Sequence, residues 1–485
     1  MVFREWRIGG EQGFDAALIF VEGMVDKTVI NEEILRPLMF EVEETKVDKA
    51  TSNEEFYHFI LKSALSVADI KEVEEYDTSV FHLMAGMVVF LIDGFSKAIL
   101  IEAKGWEHRG ITEPETETII RGPRDGFSET LRVNTALIRR RIRDPNLKIE
   151  TIQIGRRTKT DIALLYMADI AEPKILDDVK GRLNDIDTDS ILESGYLEQF
   201  IEDTWLSPFP QVQATERPDE VAAGLLEGRV GILTDNTPFA LLVPATLNSL
   251  MQSSEDYYQR WLIGSFTRLI RFFANFLALV LPSLYIALTS FHPEMIPTRL
   301  ALSIAASREG VPFPAFMEAF IMEGAIELLR EAGVRLPSPI GQTVGIVGGL
   351  IIGEAAVSAN IVGSIMVITV ALTAISSFAV PTYDVAIAFR LLRFFLMIMA
   401  TFLGLYGIIL GLMIILSHMA TLKSFGVSYL SPWSPFAPSD LKDSLIRSPI
   451  MAMRKRPSFM STKDPDRMDV NRRDPEEKRN GEADK

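Results

Sequence analysis

Three stretches of this chain contain no charged residue: FFANFLALVLPSLYIALTS (272–290), IVGSIMVITVALTAISSFAV (361–380) and FFLMIMATFLGLYGIILGLMIIL (394–416). Each is close to the roughly 20 apolar residues a helix needs to cross the hydrocarbon core of a bilayer. A soluble protein seldom shows three such runs together, because a helix with one solvated face carries polar residues at every turn. In lipid the backbone must satisfy its own hydrogen bonds, which leaves the helix as the element for such runs. The sequence therefore predicts a polytopic α-helical membrane domain over 261–420. Arg268 and Arg271 precede the first run and favour a cytoplasmic start.

Two further apolar segments carry acids. PFPAFMEAFIMEGAIELL (312–329) holds Glu318, Glu323 and Glu327, and the segment 341–363 holds Glu354. Charge at membrane depth is costly, so these faces are expected to meet protein or water rather than lipid. Four to five crossings result. The basic stretch Arg454-Lys455-Arg456 favours a cytoplasmic tail and an even number. Against that, Arg330 with Arg335 and Arg390 with Arg393 cannot all be placed inside at the same time.

Within GQTVGIVGGLIIGEAAVSANIVG (341–363), Gly341, Gly345, Gly349 and Gly353 recur every four residues. On a helix each residue advances about 100°, so these glycines share one broad face with almost no side chains. Such a face lets another helix backbone approach closely in lipid. Thr343, Val347, Leu350, Glu354 and Ser358 cluster on the opposite side. A ladder of hydroxyl, two aliphatics, carboxylate and hydroxyl suits a water path with an apolar collar and an acidic ring, if several copies surround an axis. The bland alternative is a tightly packed helix whose Glu354 pairs with an arginine of a neighbour.

The whole chain carries a formal charge of −16. Residues 261–420 balance eight arginines against eight acids and the remainder from 421 is +3, so residues 1–260 carry −19. A region this acidic is unsuited to nucleic acid or to lying flat on anionic lipid. It reads as α/β: AALIFVEGMVD (16–26) then VINEEILRPLM (29–39), and DIALLYMADIA (161–171) then KILDDVKGRLNDI (174–186), repeat a strand-then-helix pattern. MVVFLIDG (87–94) and KAILIEAKG (97–105) form a strand pair split by a turn. The expected organisation is a first lobe over 1–75 and a second over 76–206. A Pro-rich hinge and membrane-proximal segment follows over 207–260, with strand and loop at 228–247. The membrane domain fills 261–420, and a tail over 421–485 is expected to be mostly disordered. MVFREWRIGG is charged and strand-like rather than a signal peptide, so both lobes are expected in the cytosol.

RGPRDGFSETLRVNTALIRRRIR (121–143) contains Arg139, Arg140, Arg141 and Arg143. The acidity of its domain argues for contact with a neighbouring acidic surface over nucleic acid. Thr112, Glu113, Pro114, Glu117 and Arg121-Gly122-Pro123 suggest a local ion-paired turn. Five histidines are dispersed without metal-ligand spacing, and there is no cysteine. No P-loop, nucleotide fingerprint or nucleophile elbow occurs, so the chain is read as a non-enzyme without cofactor or metal.

These motifs together resemble the GerA family of spore germinant receptors, specifically its A subunits. The resemblance is carried by ITEPETE (111–117), RGPRDGF (121–127), SPFPQ (207–211), TERPD (215–219), GRV (228–230), DYYQRW (256–261), SFHP (290–293), REGVPFP (308–314) and ELLREAGVRLPSPIGQTVGIVGG (327–349). It implies a two-lobed α/β soluble N-terminal domain facing the spore core and a polytopic helical domain in the inner membrane of the endospore. Its partners would be a transporter-like B subunit, thought to bind the nutrient, and a lipoprotein C subunit. The A subunits would form a homo-oligomer and a ligand-gated path releasing monovalent cations. The chain begins almost inside its first strand, shorter than the family pattern, and its tail after 456 has no pattern of the family. The alternatives are a non-conducting transporter-like or scaffold subunit, favoured by midplane acids but lacking a second inverted set of helices, and an A-like paralogue that amplifies germination.

Overall fold

The computed structural model describes the chain except residues 9–13, 42–52, 66, 68, 106–109, 337–347, 350 and 469–485. It divides into two units, Met1–His108 and Arg109–Lys485. In the first, strands β1 (Val2–Ile8), β2 (Phe14–Phe20), β3 (Ile70–Val73), β4 (Val88–Ile92) and β5 (Ala98–Ile101) form an antiparallel sheet in the order β1-β2-β4-β5-β3. The alternation of β2 sends Ala16, Leu18 and Phe20 to one face, where helical residues Ile30, Ile34, Leu38, Phe56 and Ile60 cover them. Helix α1 (Tyr76–Met84) closes the other face through Leu83 against Val89 and Leu100.

The second unit begins with the same plan. Strands β6 (Leu147–Ile154), β7 (Thr160–Met167), β8 (Gln213–Thr215), β9 (Val230–Thr234) and β10 (Ala240–Val243) pair antiparallel in the order β6-β7-β9-β10-β8. Helices α2 (Leu131–Arg141) and α5 (Pro218–Leu226) cover one face, and α3 (Pro173–Asn184) and α4 (Ser194–Ile201) the other. The correspondence extends to single residues. LMAGMVVFLIDG (83–94) and LLEGRVGILTDN (225–236) both leave a helix through a left-handed glycine, Gly86 at φ +85° and Gly228 at φ +92°. Both end their strand in a turn with a positive-φ residue, Gly94 or Asn236. Asp93 N donates to Asp15 O at 2.8 Å, and Asp235 N to Asp161 O at 3.0 Å.

The expected lobe limits at 75 and 206 are therefore corrected. The strand pair taken to open the second lobe is β4 and β5, completing the first sheet. The proposed hinge and membrane-proximal stretch contains β8, β9 and β10, whose residues are nearly all buried.

The helical region comprises α6 (Trp261–Ser290), α7 (Thr298–Arg308), α8 (Ala315–Arg335), helical residues 348–349 and 351–358, α9 (Ser364–Ser377) and α10 (Tyr383–Thr421). α6 and α10 are long and apolar enough to cross a membrane, whereas α9 has only 14 residues. α10 is not one rod. Gly404 has φ 59° and ψ −138°, a conformation that only glycine adopts readily. A Cβ on Gly407 would lie 2.1 Å from Met399 O, and one on Gly411 would lie 2.5 Å from Leu396 Cδ2. Eight residues of straight helix span about 12 Å, so the chain folds back at Gly404 into two arms, 383–403 and 405–421.

The fold-back adds one pass to the course of the helical region. α6 starts where Arg268 meets Asp256 and ends where Phe291 touches Gly404. α8 runs from Glu318, bonded to Gly363 N, to Arg330, bonded to Ser377. Helical residues 348–349 and 351–358 run back, from Gly348 beside Leu329 to Asn360 beside Gly310. α9 returns, and Thr382 Oγ1 donates to Leu250 O at 2.6 Å, next to the sheet-bearing part of the unit. With both arms of α10 the path makes six passes and begins and ends on one side. Of the four arginines that the sequence could not place inside together, Arg330, Arg390 and Arg393 surround one carboxylate, Glu327, while Arg335 pairs with Glu331.

The tail is corrected as well. Lys423–Ser424 and Val427–Ser428 form a small hairpin, and Phe425 and Val427 enter the core beside α3 and α4. Further on, Arg456 Nε donates to Leu226 O at 2.8 Å, Lys463 N to Ile170 O at 2.9 Å, and Arg467 pairs with Glu227 at 2.7 Å. The segment is anchored through residue 468.

Candidate functional site

Each acid of α8 that the sequence placed in the apolar region is met by arginine, as the cost of an unpaired buried charge requires. Glu318, fully buried, accepts from Arg308 Nε at 2.8 Å and from Gly363 N at 2.9 Å. Glu323 lies 3.2 Å from Arg393, and both are 1% exposed. Glu327 takes Arg393 at 2.9 Å, Arg390 at 3.0 Å and Arg330 at 3.7 Å. α8 thereby ties α7, the loop before α9 and the first arm of α10 into one scaffold. Sequence reasoning saw the acids but not their partners, because the pairs join segments up to 70 residues apart.

The glycine segment behaves differently. Thr343, Val347 and Leu350, with Gly341 and Gly345, lie outside the described residues. Glu354 and Ser358 are described, and both are exposed on the helical stretch 351–358. Glu354 has no ion pair among the described residues. Gly353 is buried, and a Cβ there would contact Val367 of α9 at 3.4 Å, so the backbone at this one glycine lies close to α9. Gly349 meets nothing within 4 Å. At this point of the helix the carboxylate of Glu354 is exposed while its neighbour Gly353 is buried.

A second polar centre stands at the foot of α6. Asp256 accepts from Arg268 at 3.1 Å and from Arg271 at 3.0 Å, and Asp443 takes Arg268 at 2.9 Å and Tyr257 Oη at 2.7 Å. Arg268 is fully buried. Beside it, motifs about a hundred residues apart converge. Glu117 accepts from Thr215 Oγ1 at 2.6 Å and Glu216 N at 3.1 Å. Arg217 donates to Glu117 O and Pro123 O and pairs with Asp219, which also accepts from Tyr258. Burial first, then the charge of Glu220, pushes the Glu117 carboxyl above its usual range. The expected local turn is thus a junction with 215–219, with Arg124 on Glu113 as its local pair. Arg140 and Arg141 of α2 meet Asp125, each at 2.6 Å, so part of the basic run is neutralised within its own lobe.

The chain matches the model of the Bacillus/Clostridium GerA spore germination protein family over residues 1–459. It is 46% identical to Spore germination protein KA of Bacillus subtilis (strain 168), covering 96% of this chain and 84% of that protein. It is 42% identical to Spore germination protein GerLA of Bacillus cereus, covering 92% and 90%. Among solved structures, the crystal structure of the N-terminal domain of the A subunit of the Bacillus megaterium spore germinant receptor GerK3 is 34% identical, covers 51% of this chain and 88% of that one, and superposes with a TM-score of 0.22. The matching stretch includes the buried junction, the α8 scaffold and the glycine segment alike, and the chain belongs to the GerA family of spore germination proteins.

Proposed function

We propose that this chain is the A subunit of a nutrient germinant receptor in the inner membrane of the endospore, where several copies enclose a ligand-gated path for monovalent cations. The carrying observation is the contrast among the acids: Glu318, Glu323 and Glu327 are paired with arginine, while Glu354 is exposed and without an ion pair among the described residues. A carboxylate in an apolar segment needs water or a partner, and a water-filled axis between copies supplies it. The six-pass path supports placing the sheet-bearing lobe of the second unit and the C-terminal segment on one side, facing the spore core. Thr343, Val347, Leu350, Glu354 and Ser358 line the path, with Leu350 and Val347 as the collar and Glu354 as a cation-attracting ring. Gly341, Gly345, Gly349 and Gly353 form the packing face. A transporter-like B subunit and a lipoprotein C subunit complete the receptor, and nutrient binding there shifts a closed–open equilibrium through contacts that differ between the two states.

Potassium efflux from liposomes carrying the purified full chain tests the reading. Leu350→Ala raises the leak and Glu354→Gln lowers it several-fold. Liposomes that hold potassium with every variant would move the conducting path to another subunit.

A further inference from the structure

Within the second unit lies a cavity of about 340 Å³, between the end of α5 with β9 and β10 on one side and the C-terminal segment 439–467 on the other. Its wall is firmly built. Ser458 donates through N and Oγ to Asp440 at 2.8 and 2.7 Å, and Arg456 donates to the carbonyls of Leu226, Asp464 and Asp466. Its size falls at the small end of the roughly 300–1,000 Å³ typical of small-molecule sites.

The charges lining it are unevenly committed. Its acids are spent: Glu227 on Arg467, Asp440 on Ser458, and Asp443 on Arg268 and Tyr257. Of its cations, Arg467 holds Glu227 and Arg456 holds Asp464, whereas Arg229, Lys442, Arg454 and Lys455 have no ion pair among the described residues. Arg229, 6% exposed, donates to the carbonyls of Pro244 and Leu242 and to Gln213 Oε1, all neutral acceptors. At the rim Lys442, Arg454 and Lys455 are exposed, with no ion pair among the described residues. Burial depresses the Arg229 guanidinium to about 10, with the charges of Glu227 and Glu220 opposing the fall. Asn248 lines the cavity at 7% exposure; its Nδ2 donates to Asp443 O at 3.3 Å while its Oδ1 is buried with no partner among the described residues. A lone buried acceptor is costly unless a donor arrives. Pro244, Met453 and Met460 give the remaining wall an apolar surface.

From this lining we infer that the cavity binds a small organic phosphate carrying a hydroxyl group. Three rim cations without an ion pair, beside the buried Arg229, match a dianion better than a single carboxylate, and the guanidiniums of Arg229 and Arg454 have forked donors that suit phosphate. The ligand hydroxyl donates to Asn248 Oδ1, and its carbon skeleton lies against the methionines. The same chemistry is offered by a free phosphoester and by the glycerophosphate headgroup of an anionic phospholipid.

The test uses the full chain in phosphatidylcholine nanodiscs, titrated calorimetrically with glycerol 3-phosphate and, separately, with sulfate, an anion without a donor. Saturable binding of glycerol 3-phosphate is expected. The joint surface variant Lys442→Gln, Arg454→Gln and Lys455→Gln weakens it about tenfold or more. Asn248→Ala weakens glycerol 3-phosphate but leaves sulfate unchanged. Loss of binding when phosphatidylglycerol replaces part of the lipid identifies the headgroup as the source; retention identifies a soluble ligand. No saturable binding by the wild type, or binding indifferent to the surface variant, overturns the assignment. Because potassium flux is not read, the outcome is independent of whether the chain conducts.

Discussion

The two lobes share one strand order, yet they differ where their repeats align most closely. In the first lobe α1 is followed by Ala85, Gly86 and Met87; in the second α5 is followed by Glu227, Gly228 and Arg229. Met87 sits in an apolar cluster with Leu83, Val89 and Leu100. Arg229 instead fastens carbonyls of β10 and its exit to Gln213 of β8. An identical backbone plan therefore carries a hydrocarbon contact in one copy and a polar clamp beside a cavity in the other. The lesson is that topology was retained while the helix–strand corner was given new chemistry, and within the second unit the C-terminal segment docks beside the charged version.

Converting the second corner to the first should have the largest effect. Arg229→Met leaves two backbone carbonyls and Gln213 Oε1 without their donor, an expected loss of about 3 kcal/mol in urea unfolding of the full chain. Wild-type stability in that variant would make the two corners interchangeable.

A smaller effect separates the two glycines. Both have positive φ, so alanine costs about 1 kcal/mol of backbone preference at either site. At Gly228 the new Cβ would also fall 2.4 Å from Thr462 Cγ2 and push the C-terminal segment away; at Gly86 it meets Met24 O at 3.0 Å, within the lobe. Limited proteolysis after residue 457 should accelerate in Gly228→Ala and not in Gly86→Ala. Equal rates would detach the clasp from the corner.

The third difference is electrostatic and small. Burial, then Asp384, Glu202 and Glu193, push Glu198 of α4 up to about 8. In the first lobe, by contrast, Lys27 holds the Glu22 carboxyl below its usual range and the Thr28 amide does the same for Asp26. A folded carboxyl with a raised pKa holds its proton where the unfolded chain has lost it. Its contribution is complete below about pH 4.5 and fades as pH rises through about 8. Glu198→Gln should flatten this decline and raise Tm by about 3 °C at pH 8.5, with little change at pH 5. A parallel pH profile in the variant would place the dependence elsewhere.

Much of the α/β pattern was legible because β7, α3, β4 and β5 carry strong apolar periodicity. The lobe limits were not, since β3 is only Ile70–Val73 with two charges among its four residues, and without it β4 looks like a new beginning. Prolines in 207–247 suggested a linker, but they flank strands and open α5 at its first turn. The glycine ladder was read as one helix from spacing, and only its second half, with Glu354 and Ser358, lies among the described residues. The break at Gly404 was hidden because Gly404, Gly407 and Gly411 have the three- and four-residue spacing that usually means close helix packing. The tail's anchorage rests on guanidinium-to-carbonyl bonds, which leave no periodic trace in a sequence.

The fold-back at Gly404 has a mechanical corollary. Its two arms, 21 and 17 residues long, come down beside Leu250 and Gln211, and α6 rises from Asp256 a few residues away. Three legs thus stand on one platform. A hairpin with a single foot could hinge freely at its base, but with both feet pinned to the second lobe it can move only when the platform tilts. The lobe is then a lever, and the tip at Gly404 travels in step with it on the far side.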